Sequence, residues 1–266
     1  MNIHPKENAP SMRFPRRQLV IGLGACAALL LLLLTEPLAQ DPAYHAFADG
    51  RTLMRIDNAI NVLSNLAFLL VGGLGIRMLK VRCTLSVTVA GIYRTFFVGL
   101  LLVGFGSGWY HLQPDNVSLF WDRLPMAMCF AAFCSLVVAD RIGEPAGLKL
   151  FAWLMPLALG SVQYWQWFDD LRPYLLIQFA PMLVIPIILC VRAGPGRLWF
   201  WLTLFCYGLA KVLECYDQAV FELASGWISG HSLKHLVAAV GALMLVFKLY
   251  REGGGAPGIL PGAASQ

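Results

Sequence analysis

Residues 86–111 read SVTVAGIYRTFFVGLLLVGFGSGWYH, a run with a single charged side chain, Arg94, and a histidine at its far end. About 20 mostly apolar residues in helical conformation cross a bilayer, so this run predicts a transmembrane helix. A barrel strand would instead show roughly ten residues of alternating polarity, and no such alternation is present. Comparable runs lie at 19–38, 58–79, 117–139, 148–166, 173–192, 197–222 and 230–250, giving eight predicted spans. The breakers fall between them: Gln113-Pro114-Asp115, Gly143-Glu144-Pro145, Arg172-Pro173 and Gly194-Pro195-Gly196.

Composition agrees with that reading. Of 266 residues, 58% are hydrophobic and 13% charged, against about 25% charged in an ordinary soluble chain. The expected class is an all-α membrane protein of eight spans. Its parts are a basic N-terminus at 1–18, the first span at 19–38, an outer loop at 39–57, the other seven spans at 58–250 and a disordered Gly/Pro/Ala-rich tail at 251–266. The run at 19–38 also suits a signal peptide, but Pro37-Leu38-Ala39 is a poor cleavage site, so an uncleaved anchor is expected. The cysteines (Cys26, Cys83, Cys129, Cys134, Cys190, Cys206 and Cys215) form no CxxC pair, and all but Cys83 lie in apolar runs. Buried free thiols are expected from them.

The net charge of +5 is spread over short loops, so no nucleic-acid partner is implied. It sorts by side instead. Lys6, Arg13, Arg16 and Arg17 precede the first span. Taking every second connection then collects Arg77, Lys80, Arg82 and Arg94, then Arg141 and Lys149, Arg192 and Arg197, and finally Lys248 and Arg251. Cytoplasmic loops gather such residues, so both termini are expected in the cytoplasm. A bacterial inner membrane fits the compact chain, with an endoplasmic reticulum or Golgi membrane as the eukaryotic alternative. The aromatic cluster Tyr164, Trp165 and Trp167 is expected in the outer interfacial belt.

In that topology the unusual polar residues gather at the outer end. Ser107 and His111 lie four apart on the third span, Asp122 lies near the start of the fourth, and His231 and His235 lie four apart on the eighth. Residues four apart share a helix face. Ionisable groups within spans are costly and usually functional. Three imidazoles with one open position suit a catalytic zinc, Asp122 could activate water, and Ser107 could hydrogen-bond a developing oxyanion. Each part alone has a plainer reading: His111 as an interfacial residue, and Asp122 as a partner of Arg123 or a helix cap. Their convergence carries the metal-site expectation. Asn58, Asn61, Ser64 and Asn65 form a polar stripe at the same level, and Lys211, Glu214 and Asp217 recur every three residues on the seventh span. Interhelical hydrogen bonds and a Lys211–Glu214 pair account for them. A compatible role is to orient the metal ligands, assigned to Asn61, Ser64, Asn65, Glu214 and Asp217.

Ser107-x-x-x-His111, Asp122, His231-x-x-x-His235 and Asn61-x-x-Ser64-Asn65 together resemble the alkaline ceramidase family, within a superfamily of seven-helix membrane hydrolases that includes adiponectin-receptor-like proteins. The resemblance covers roughly residues 45–250 and implies a seven-helix transmembrane core over 58–250, with the helix at 19–38 as one additional N-terminal helix. It implies an intramembrane zinc amidase that hydrolyses ceramide or a related long-chain N-acyl lipid to a fatty acid and an amine base. His111, His231 and His235 would be ligands, Asp122 the water-activating group and Ser107 the carbonyl-oxygen donor. A membrane lipid is the implied substrate, and no obligate protein partner is implied. The stretch Phe47-Ala48-Asp49-Gly50-Arg51 lacks the Trp and acidic cluster of the animal members' calcium site, so calcium is not expected. A non-catalytic receptor or sensor of the same superfamily is the alternative. A transporter or haem protein is less favoured, because duplicated halves and interrupted midplane helices are not evident.

Overall fold

The computed structural model describes residues 34–81 and 85–252. The basic segment 1–18, most of the additional span expected over 19–38, Cys83 and the tail from 253 lie outside the described residues. From Leu38 onward the chain is one unit. A 3-10 turn at Pro42–His45 precedes α1 (Ala59–Ser64), α2 (Leu66–Val81), α3 (Val87–Leu112), α4 (Asn116–Arg141) and α5 (Glu144–Phe168). Then follow α6 (Arg172–Val191), α7 (Arg197–Cys215), α8 (Asp217–Leu223) and α9 (Gly230–Glu252). The described residues contain no strand, only an isolated bridge between Leu53 and Ile56.

Seven segments are long and apolar enough to cross a membrane: Ala59–Val81, α3, α4, α5, α6, α7 and α9. Their outer faces carry exposed Leu70, Phe105, Trp153, Leu183 and Phe205. Surface of that kind belongs in hydrocarbon, where helices satisfy their own backbone groups. The protein is therefore an all-α, multi-pass membrane protein.

Helix α4 is the axis of the bundle. Its Ala127, Ala131, Ala132 and Val137 have no accessible surface, and it packs on α3, α5 and α6. Helix α9 packs on α7 and α2, while α6 and α7 meet only loosely. The start of α4 is fixed by a capping box: Asp115 accepts the Ser118 amide at 2.7 Å, and the Asp115 amide reaches Ser118 Oγ at 3.2 Å. Thus Asp115 is the cap, and Asp122 lies nearly two turns further in.

Two of the predicted helices are interrupted. In the run 58–79, the Asn61 carbonyl accepts both the Ser64 hydroxyl and the Asn65 amide group, each at 2.8 Å. The Asn65 N–H turns instead to the Val62 carbonyl, three residues back, at 3.2 Å. Side chains have taken the acceptor that an unbroken helix needs. The run 197–222 breaks at Tyr216 (φ −105°, ψ 30°), so Asp217 starts α8 and does not continue the face of Lys211 and Glu214. The last helix runs on to Glu252, whose carboxylate binds buried Lys248 one turn back at 2.5 Å; Arg251 and Glu252 therefore belong to the bundle, not the tail.

Two further expectations are corrected. Trp165 is buried, while Tyr164 and Trp167 are exposed, so Trp165 belongs to the interior. Cys129 and Cys134 are buried, but Cys190 and Cys215 are exposed, as apolar thiols facing lipid can be.

The segment after Pro37 is tied to the loop between α5 and α6. The Leu38 amide donates to Asp170 Oδ1 (3.2 Å), the Gln40 amide to Asp169 Oδ1 (3.1 Å) and the Leu171 amide to the Leu38 carbonyl (2.8 Å). The Arg172 guanidinium binds the Asp170 carboxylate at 2.7 Å and, with the backbone donors and despite desolvation, holds its carboxyl below the usual value of 3.8. A depressed carboxyl contributes stability above that value and loses it as pH falls through the lower folded value. Asp170→Asn is therefore expected to cost about 1–2 kcal/mol at pH 7 and to flatten the acid side of a thermal-unfolding profile in detergent.

Candidate metal centre

The C-terminal end of α3 and the N-terminal ends of α4 and α9 meet at one end of the bundle. Two close backbone approaches set their depth. Pro125 has no N–H to offer the Trp121 carbonyl, and the α3 backbone at Gly106 lies against that freed oxygen. A Cβ on Gly106 would sit 2.1 Å from it. At the start of α9, a Cβ on Gly230 would sit 2.2 Å from the Leu213 carbonyl oxygen. These contacts bring Ser107 beside Asp122, and His231 beside the break between α7 and α8.

His111, His231 and His235 are all buried, and each offers a ring nitrogen within 4.8 Å of the other two. Their ring centroids are separated by 4.8, 5.0 and 5.1 Å. Phe47 packs against His111 and His231, both at 4.7 Å, and Phe68 packs against His235 at 5.9 Å. Both ring nitrogens of His111 and Nε2 of His231 are buried without a hydrogen-bond partner. Buried polar atoms are seldom left so. A cation taking one lone pair from each ring would satisfy Nε2 of His231 and one nitrogen of His111, and an all-imidazole donor set suits zinc among several transition metals.

The neighbouring residues orient this triad. Ser64 gives its hydroxyl proton to the Asn61 carbonyl, so its oxygen accepts from His235 Nδ1–H at 2.8 Å. That assignment places the proton on Nδ1 and leaves the Nε2 lone pair free. Asp217 accepts the His231 backbone amide at 2.7 Å and the Ala48 amide at 3.0 Å; it anchors the helix start and does not touch the ring. Asn61 Oδ1 accepts from Ser232 at 2.7 Å, and its Nδ2 donates to the Asp49 carbonyl at 3.0 Å. Asn65 donates to the Asn61 carbonyl, and Asn58 donates to the His111 carbonyl at 2.9 Å. Glu214 binds Lys211, Lys234 (2.5 Å) and the Tyr44 hydroxyl (3.1 Å) rather than a histidine. Burial and the Glu214 charge raise the Tyr44 phenol well above its usual pKa, so it stays a donor.

Ser107, Asp122 and His235 line the polar end of a cavity of about 240 Å³. Asp122 is buried and its Oδ1 has no partner; its carboxylate interacts with Ser107. The apolar end is lined by Phe96, Phe133, Leu204 and Ala242. From Ser107 to Phe96 along α3 is roughly 16 Å at the helical rise. A polar head over a deep apolar shaft fits an amphiphile.

Several contributors escaped the sequence reading. Phe47 and Tyr44 come from the outer loop, where no periodicity indicates what they cover. Arg123 and Lys234 did carry a signal, as charged residues within apolar runs. No family model and no curated protein matches the chain.

Two outcomes are expected. Gly106→Val should separate α3 from α4 and cost roughly 1–3 kcal/mol with loss of metal uptake. Gly108→Ala, whose added Cβ meets nothing within 4 Å, should leave both nearly unchanged; thermal unfolding and metal analysis check the pair. Ser64→Ala should weaken any transition-metal binding at this cluster by about 10–100-fold in competition with a chelator, with the fold intact.

Proposed function

We propose that the protein is an intramembrane metal-dependent amidase, with zinc as its ion, which hydrolyses a long-chain N-acyl lipid, ceramide or one related to it by its fatty amide, to a fatty acid and an amine. One observation carries this reading: a cluster of three buried imidazoles, two of them with unpartnered nitrogens, reaches through His235 into an apolar cavity that also holds an unpartnered carboxylate oxygen of Asp122. A purely structural ion has no need of that carboxylate.

His111, His231 and His235 would hold the ion. When bound, zinc supplies Lewis acidity, polarising a carbonyl and making water a nucleophile near neutral pH. Asp122 takes the proton of the attacking water on its free oxygen and returns it to the leaving nitrogen. The new C–O bond forms first, moving the carbonyl electron pair onto oxygen, and the C–N bond breaks as that pair returns and the nitrogen takes the proton from Asp122. Ser107 donates to the carbonyl oxygen as negative charge gathers there. The apolar cavity wall receives the acyl chain and keeps bulk water from the reacting carbon.

The charge distribution supports cytoplasmic termini and a site on the opposite side; the compact chain with its short basic N-terminus favours a bacterial inner membrane over an endoplasmic reticulum or Golgi membrane. The histidine end then faces outward.

The test combines metal analysis with lipid hydrolysis on purified protein. His111→Ala and His235→Ala should lose both the ion and the activity. Asp122→Asn should keep the ion and lose hydrolysis by about 10²–10⁴-fold. Equal turnover by Asp122→Asn and the unaltered protein, or full activity in a metal-free histidine variant, sinks the reading. Saturable lipid binding with no product from the zinc-loaded protein would indicate a receptor.

A further inference from the structure

Arg123 is 6% exposed and lines the cavity, yet no acidic residue among the described residues pairs with it. Its guanidinium carbon lies 4.5 Å from the Trp165 ring centre and 5.2 Å from those of Tyr44 and Tyr174. Ring faces stabilise a cation, but they leave its in-plane N–H groups unsatisfied, and Nη1 is buried with no hydrogen-bond partner. The other cavity cations differ, because Lys211 and Lys234 share Glu214. The aromatic box holds the guanidinium in place and leaves its hydrogen-bonding edge for a ligand. A planar fork of N–H donors matches a carboxylate.

Position narrows which carboxylate. Adjacent residues on a helix diverge in direction, so the Arg123 head sits among Tyr44, Trp165 and Tyr174, to one side of Asp122. The acyl carbon under attack belongs beside Asp122 and the histidines. An anion held by Arg123 is therefore displaced from that carbon, as a group on the amine part of an amide would be. We propose that Arg123 is the carboxylate-binding group of the cavity and that the substrate is a long-chain N-acyl amino acid, not an uncharged N-acyl base. The substrate half of this inference rests on the amidase reading above; the binding half does not.

N-palmitoylglycine and N-palmitoylethanolamine form a matched pair, with the same acyl chain and amide but a carboxylate in one and a hydroxymethyl group in the other. Calorimetric binding to the His235→Ala protein in detergent avoids turnover, and hydrolysis by the zinc-loaded unaltered protein is measured in parallel. A charge-assisted bidentate contact is expected to favour the glycine conjugate by about tenfold or more. Arg123→Gln should abolish the preference and Arg123→Lys should keep part of it. Equal binding of the two amides overturns the proposal without any Arg123 variant, and so does a preference that survives Arg123→Gln. Palmitate is the third probe: if Arg123→Gln weakens palmitate alone, Arg123 holds the product carboxylate and the proposal fails. A tenfold binding preference with no hydrolysis of either amide supports the carboxylate site and overturns the amidase reading. Hydrolysis of both at equal rates does the reverse.

Discussion

Three imidazoles removed from water, two of them with ring nitrogens that no protein group meets, are the constraint around which this bundle is built. An unsatisfied polar atom in an apolar interior costs on the order of 1–3 kcal/mol, and here at least three ring nitrogens on His111 and His231 bear that cost together. The surrounding sequence keeps them aimed inward. Gly106 lets α3 rest on the carbonyl that Pro125 has left free, and Gly230 seats α9 against α7. Ser64 dictates which nitrogen of His235 carries the proton. A bilayer makes the arrangement durable, because water cannot easily enter to relieve it.

The irregularities in the fold serve the same end. The break at Asn65 arises because Ser64 and Asn65 bind the Asn61 carbonyl, and the same Ser64 hydroxyl group engages His235. The break at Tyr216 starts a new helix at Asp217, whose carboxylate meets the amides of His231 and Ala48. A straight helix in either place would move those groups elsewhere. Helical regularity is lost at the positions where the site gains an orienting contact.

This explains what was legible in the sequence and what was not. Ser107, His111, Asp122, His231 and His235 stood out because polar residues in spans are rare and the i,i+4 pairs fix a helix face without knowledge of neighbours. The seven long spans were legible for the same reason, from apolar length alone. The breaks were hidden, since each depends on a side chain capturing a carbonyl, and neither 58–79 nor 197–222 contains an internal proline to warn of it. Trp165 resembled an interfacial residue by position, yet it stacks beneath Arg123 inside the bundle. Whether a tryptophan faces lipid or a guanidinium is decided by the helix opposite, which periodicity does not reveal.

Phe47 lies across His111 and His231, and its segment is pinned by Asp217 at Ala48 and by Asn61 at Asp49. An ion approaching those two histidines from the loop side has to displace this plug. Access to those two rings from that side is thereby tied to an opening motion of residues 47–49.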